Sequence, residues 1–85
     1  MINNCIIPIN SDEDRYEIYQ LLLNQPYLTM RYQVNNLAYK KLKCFYIIDC
    51  VVRYSFDISF LKGCYPELKI INPYKILIKK ELYED

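Results

Sequence analysis

The chain contains no histidine. That removes the side chain most used as a general base near neutral pH and the commonest zinc ligand. It contains one glycine, Gly63. Phosphate-cradling loops need several glycines at fixed spacing, so neither a P-loop nor a dinucleotide-binding turn can be built from it. Excess charge of one sign is also missing: 11 Lys and Arg stand against 10 Asp and Glu, a formal balance of +1. The strongly basic surface that nucleic-acid binding draws on is therefore not in the composition. The longest nearly apolar stretch, Cys44 to Val52, is interrupted by Asp49. It falls well short of the ~20 apolar residues that span a bilayer. Met-Ile-Asn-Asn-Cys at the start has neither a basic nor a long apolar stretch, so no secretory signal is read there.

What is present is the composition of a folded globule: 53% hydrophobic and 25% charged residues over 85 positions. A length of this order carries one domain, expected over residues 1–85. The single alanine beside ten tyrosines and twelve isoleucines reads as AT-rich codon usage rather than a functional tyrosine array. The expected location is cytoplasmic, which makes Cys5, Cys44, Cys50 and Cys64 reduced thiols. Their spacing contains no Cys-x-x-Cys knuckle, so no metal site and no cofactor are expected. Cys44 falls on an expected core face, and Cys64, in a loop after Lys62, is the thiol most open to reaction.

Ile2–Ile9 reads as a strand with Pro8 at its end, where the missing amide is tolerated. Ser11 followed by Asp12, Glu13 and Asp14 reads as a helix start, the hydroxyl capping free amides and the acids complementing the dipole. Ile18, Leu21 and Leu22, flanked by Tyr19 and Leu23, form its apolar stripe, and Pro26 ends it. From Tyr27 to Asn35 the pattern alternates, with Leu28, Met30, Tyr32 and Val34 on one side. Asn35-Asn36 is a turn candidate, and Lys40–Asp49 returns as a second strand, giving a hairpin. Val51–Lys62 is ambiguous: the β-branched Val51-Val52 pair favours strand, and a helix is expected over about Ser55–Lys62, with Asp57 or Ser55 at its start and Gly63 as its left-handed stop. Asp49, near that junction, reads as a cap. Glu67–Asn72 alternates as a strand, and Pro73 begins a terminal segment that fits a helix, while its Ile76-Leu77-Ile78 run fits a strand equally well.

The order β-α-β-β-α-β plus a tail describes an α+β, ferredoxin-like sandwich: one antiparallel sheet and two helices on one face, with the tail open between a C-terminal helix and a strand. Leu28, Met30, Tyr32, Leu42, Cys44 and Tyr46 are then expected beneath the helices. Arg31, Gln33, Lys41, Lys43 and Phe45 are expected on the open face as the candidate binding surface. The basic residues among them, with Phe45, faintly suggest single-strand nucleic-acid binding, but Lys40–Ile47 lacks the glycine of the RNA-recognition signature. Strand charges that block edge pairing explain them better, so direct nucleic-acid contact is not expected. No nucleophile–base pair is visible, and an enzyme is not expected.

One segment carries a resemblance. In Ile58-Ser-Phe-Leu-Lys-Gly-Cys-Tyr-Pro-Glu-Leu-Lys-Ile-Ile-Asn-Pro73, an apolar helix ends in glycine, a short polar loop follows, and a strand leads into proline and a terminal helix. This resembles the C-terminal extension domain of WYL-domain transcriptional regulators. Leu61 and Gly63 match the helix end, Glu67 to Pro73 match the strand and its proline, and Ile76 with Lys79-Lys80 match the last helix loosely. The rest of the chain agrees by element order only. The resemblance implies a ferredoxin-like fold and a regulatory module that senses a ligand or assembles the regulator. It carries over no functional residue, and the family's ligand-sensing and helix-turn-helix domains are not among these residues. The function expected is thus a non-catalytic regulatory, ligand- or protein-binding module with a protein partner, self-association remaining open. The alternative, motivated by Met1 and the small size, is a stand-alone phage or mobile-element protein that inhibits a host system by binding one of its proteins.

Overall fold

The computed structural model describes residues 2–30 and 40–79, and within the last of these it describes side chains as far as residue 76. Strand β1 (Cys5–Pro8) is followed by helix α1 (Asp12–Leu23) and the short strand β2 (Thr29–Met30). Then come β3 (Cys44–Ile48), β4 (Val51–Ser55), helix α2 (Ile58–Cys64), strand β5 (Lys69–Ile70) and helix α3 (Pro73–Lys79). The sheet order is β2-β4-β3-β1-β5.

The helices start where local chemistry places them. Ser11 is extended and its Oγ accepts the Asp14 amide at 3.1 Å, with Asp12, Glu13 and Asp14 in the first turn of α1. Asp57 caps α2, its Oδ1 accepting the Phe60 amide at 3.0 Å. Pro73 opens α3, and Asn72 Oδ1 accepts the Tyr74 amide at 3.0 Å. Pro8 closes β1, and the ladder continues past it through Ile9 N–H to the Lys43 carbonyl at 2.9 Å.

The sheet departs from the antiparallel four-stranded expectation. β1 pairs with β3 and β3 with β4 in antiparallel fashion, but β1 and β5 are parallel, as are β2 and β4. The chain is α+β with a mixed five-stranded sheet. Two crossovers produce this order: β1-α1-β2 and β4-α2-β5 each join parallel strands across two intervening ones. They travel in opposite lateral directions. Because parallel crossovers are right-handed, opposite directions put the two helices on opposite faces.

The core is divided accordingly. On one side Ile18 and Leu22 of α1 and Ile76 of α3 pack against Cys5, Ile7, Phe45, Ile47 and Val52. On the other, Leu61 of α2 packs against Ile6, Cys44 and Leu68, with Ile58, Tyr46 and Ile48 at its margin. Strand residues alternate between the two sets as the two-residue period requires. Helices therefore lie on both faces, where one helix-covered and one open face were expected.

The hairpin also lies elsewhere. β3 and β4 are joined by Asp49 and Cys50, both with positive φ (51° and 63°). Left-handed conformations at both central positions match the right-handed twist of the strands, although Asn-Gly is the usual pair there. Asn3 and Asn4 hold this turn: Asn3 Oδ1 accepts the Cys50 amide at 2.9 Å, and Asn4 Oδ1 accepts the Asp49 amide at 3.1 Å. Asp49 is a turn residue and not a helix cap. β2 bonds to β4 and not to β3. Of the strand expected from Tyr27, residues 31–35 lie outside the described residues, as does the Asn35-Asn36 turn. Lys40 and Lys41 are helical, so the strand expected from Lys40 starts at Cys44. Gly63 sits inside α2 without a positive φ, so it is not the left-handed stop.

Candidate binding surface

Helix α2 has only seven residues and its inner side reaches Ile6, Cys44 and Leu68, on β1, on β3 and just before β5. Beyond that reach the α2 side of β4 is covered only in part. The burial pattern follows. Val51, Arg53 and Ser55, on the α2 side of β4, are all half-buried, while Val52 on the α1 side is 3% exposed. Tyr46 and Ile48 of β3 are half-buried on the same side.

Arg53 stands opposite Tyr46 in the β3–β4 register. Burial pushes the Tyr46 phenol above its ordinary value, and the charge of the nearby Arg53 guanidinium acts in the opposite direction. The Tyr46 ring lies 6.2 Å from that of Tyr65, tilted by 32°. Arg53 Nε is buried and has no hydrogen-bond partner among the described residues. Two aromatics flank this side, Phe60 of α2 at 69% and Tyr65 at 36% exposed, whereas Phe56, 49% exposed, has its ring edge-on at 5.8 Å to Tyr54 on the α1 side of β4. Such side chains in water mark contact surfaces when they cluster.

The surface expected from the sequence does not assemble. Phe45 is 1% exposed, beneath α1, with the Tyr19 ring edge-on at 6.0 Å. Both faces of β3 are covered, so its alternation does not separate a dry side from a wet one. Lys41 and Lys43 are exposed but precede the strand. Lys43 instead borders a polar cleft of about 160 Å³ at the start of α1, with Ser11, Asp12, Arg15 and Lys40. There the buried Arg15 pairs with Asp12 at 2.7 Å and donates to the Lys40 carbonyl at 3.1 Å. Arg31 and Gln33 lie outside the described residues. Tyr46, expected beneath helices, is half-buried at the margin of α2.

Arg53, Phe56 and Phe60 were not among the expected site residues, whereas Tyr65 is one of the tyrosines that exposure makes a good interface anchor. The signal for Arg53 was the β-branched pair before it: once Val51-Val52 starts a strand, Arg53 and Val51 share a face. The exposure of Phe56 and Phe60 had no local signal, because it depends on how short α2 is and where it sits.

The thiols divide by depth. Cys5 and Cys44 are buried, Cys50 is half-buried and Cys64 is exposed. Burial pushes the Cys44 thiol up to about 11, against a weaker opposing hydrogen bond at the Ser55 backbone. Among the described residues no group of three or more Cys, Asp or Glu is placed to hold a metal ion, and no helix is long and apolar enough to cross a membrane. Comparison with protein-family models, with curated proteins and with solved structures finds no match for this chain.

Proposed function

We propose that the chain is a non-catalytic protein-binding module that makes contact through the α2 side of its sheet. The observation that carries this reading is the pair of exposed aromatics on and just after α2, Phe60 and Tyr65, with the Tyr65 ring against Tyr46 beside the half-buried strand β4. Aromatic side chains supply large contact area at low cost in conformational entropy, and Tyr and Arg dominate the energetic centres of interfaces. A regulatory setting of the kind the WYL-type resemblance implies fits this use. The order α2, β5, Pro73, α3 follows the helix–strand–proline–helix order of that resemblance. The mixed sheet is not the ferredoxin-like arrangement the resemblance implies, so the support rests on this C-terminal half.

The test is site-specific photocrosslinking in the native host. A benzophenone side chain at position 60 is expected to give a discrete protein adduct, and Tyr65→Ser should diminish it. The same probe at position 16, an exposed tyrosine on α1, should give none. No adduct from position 60, or the same adducts from both positions, would overturn the reading.

A further inference from the structure

Resting on that reading, we propose that the Arg53–Tyr46 pair is the recognition point of the surface and takes a partner protein's Asp or Glu carboxylate, carried within an apolar segment. The argument begins with charge. A guanidinium stays ionised at any physiological pH. Arg53 holds that charge in the middle of β4, half-buried, with its Nε shut away from water. A desolvated cation is ordinarily balanced by an anion. Among the described residues the ion pair is Arg15 with Asp12, on another part of the molecule. Arg53 has the neutral Tyr46 hydroxyl beside it instead. Of the two acids four residues away in sequence, Asp57 is engaged in capping α2 and Asp49 is exposed in the β3–β4 turn.

The surroundings narrow the ligand. Tyr65, Ile48 and Val51 border the pair with apolar surface, so the carboxylate must arrive with apolar neighbours of its own. A second cation beside Arg53, as a phosphate would require, is not offered by Lys62. Its Nζ donates to the Pro66 and Leu68 carbonyls at 3.2 and 2.8 Å. One planar fork in an apolar rim suits a single carboxylate, which it can meet with two parallel hydrogen bonds.

The experiment is selection of a displayed random dodecapeptide library on the immobilised protein. Selected peptides are expected to carry Asp or Glu next to aromatic or aliphatic residues. Their binding should fall about tenfold or more on Arg53→Met, as when one member of a desolvated charge pair is removed. Changing the peptide's acid to its amide should cause the same fall in the parent and little further fall in Arg53→Met. Circular dichroism establishes that Arg53→Met is folded; Arg53→Lys, which keeps the charge without the fork, should weaken binding as well. Peptides without acids, or binding unchanged in Arg53→Met, would overturn this inference while leaving the protein-binding reading in place. Loss of binding in Phe60→Ser but not in Arg53→Met would do the same, placing the contact on α2. Recovery of no peptide would overturn both. A concentration-dependent dimer abolished by Arg53→Met would assign the surface to a second copy, and would also overturn the inference.

Discussion

Cys44 shows how one side chain can set a pH limit. Its thiol is fully buried and ionises only near 11 in the native state, against 9.0 for an unperturbed group. Below pH 9 the thiol is protonated in both states and its contribution is intact. Between pH 9 and 11 the unfolded chain ionises and the native one does not, so stability falls by ~1.4 kcal/mol per pH unit. Over the two units between these values the total is about 3 kcal/mol. Burial acts in the same direction on the Tyr27 and Tyr46 phenols, extending the loss above pH 10. Urea titrations from pH 7 to 11 should therefore show a decline beginning near pH 9, and Cys44→Ala should decline less steeply. Asn3 is a second residue with reach beyond its size. Asn3→Ala leaves the part-buried Cys50 amide without its acceptor, in a turn with two left-handed non-glycine residues. A loss of about 1–2 kcal/mol is expected in equilibrium unfolding. Little in Met-Ile-Asn-Asn marks these residues as a clamp, because the turn they hold is 47 positions away for Asn3 and 45 for Asn4.

Among the elements, α1 was the most legible and α2 only partly so. The start of α1, its inward Ile18 and Leu22 and its end before Pro26 all follow from residues within a few positions of one another. For α2 the Asp57 cap was readable, but the stop was not. Gly63 has helical neighbours on both sides, and a Cβ added there would meet nothing within 4 Å. Gly63→Ala should therefore stabilise the protein by about 0.5–1 kcal/mol through reduced entropy of the unfolded chain, seen as a higher urea midpoint at unchanged slope. Destabilisation on the same change would restore the left-handed stop. The β3–β4 hairpin was hidden for a related reason. Its turn is Asp-Cys rather than Asn-Gly, so the strongest short-range hairpin signal was not there, and Asn35-Asn36 carried a stronger one.

For the molecule as a whole, the test of the architecture is where mutations hurt. A sheet with one open face puts Phe45 and Lys43 together in water. A sheet covered on both sides puts Phe45 in the core, and Phe45→Ala should then cost about 3–5 kcal/mol. Lys43→Ala, at an exposed site, should stay within about 0.5 kcal/mol. A chain of this size has of the order of 4–13 kcal/mol in total, so the first variant should lose a large part of its stability and the second almost none. Comparable, small effects at both positions in thermal and urea unfolding would contradict the two-sided packing. The same packing sets the difference in depth across β4 among the described residues: Val52 beneath α1 is 3% exposed, whereas Val51, Arg53 and Ser55 on the α2 side are half-buried.

Residue order alone determined the helix start at Ser11, the first strand with its terminal proline, the buried thiol at Cys44 and the α+β class; it narrowed the start of α2 to Ser55 or Asp57 and left the segment after Pro73 open between helix and strand. Each of these depends on hydrogen bonds or periodicities contained in a short stretch of chain. Tertiary structure decided which strands pair, which face each helix covers and therefore where Arg53 and Phe45 lie. Cys44, Phe45 and Ile47 are apolar on both sides of one strand, and such a run fits several registers and partners equally well. What selects among them is the handedness of two crossovers moving in opposite directions across the sheet, a property of three-dimensional chain path that local sequence does not encode.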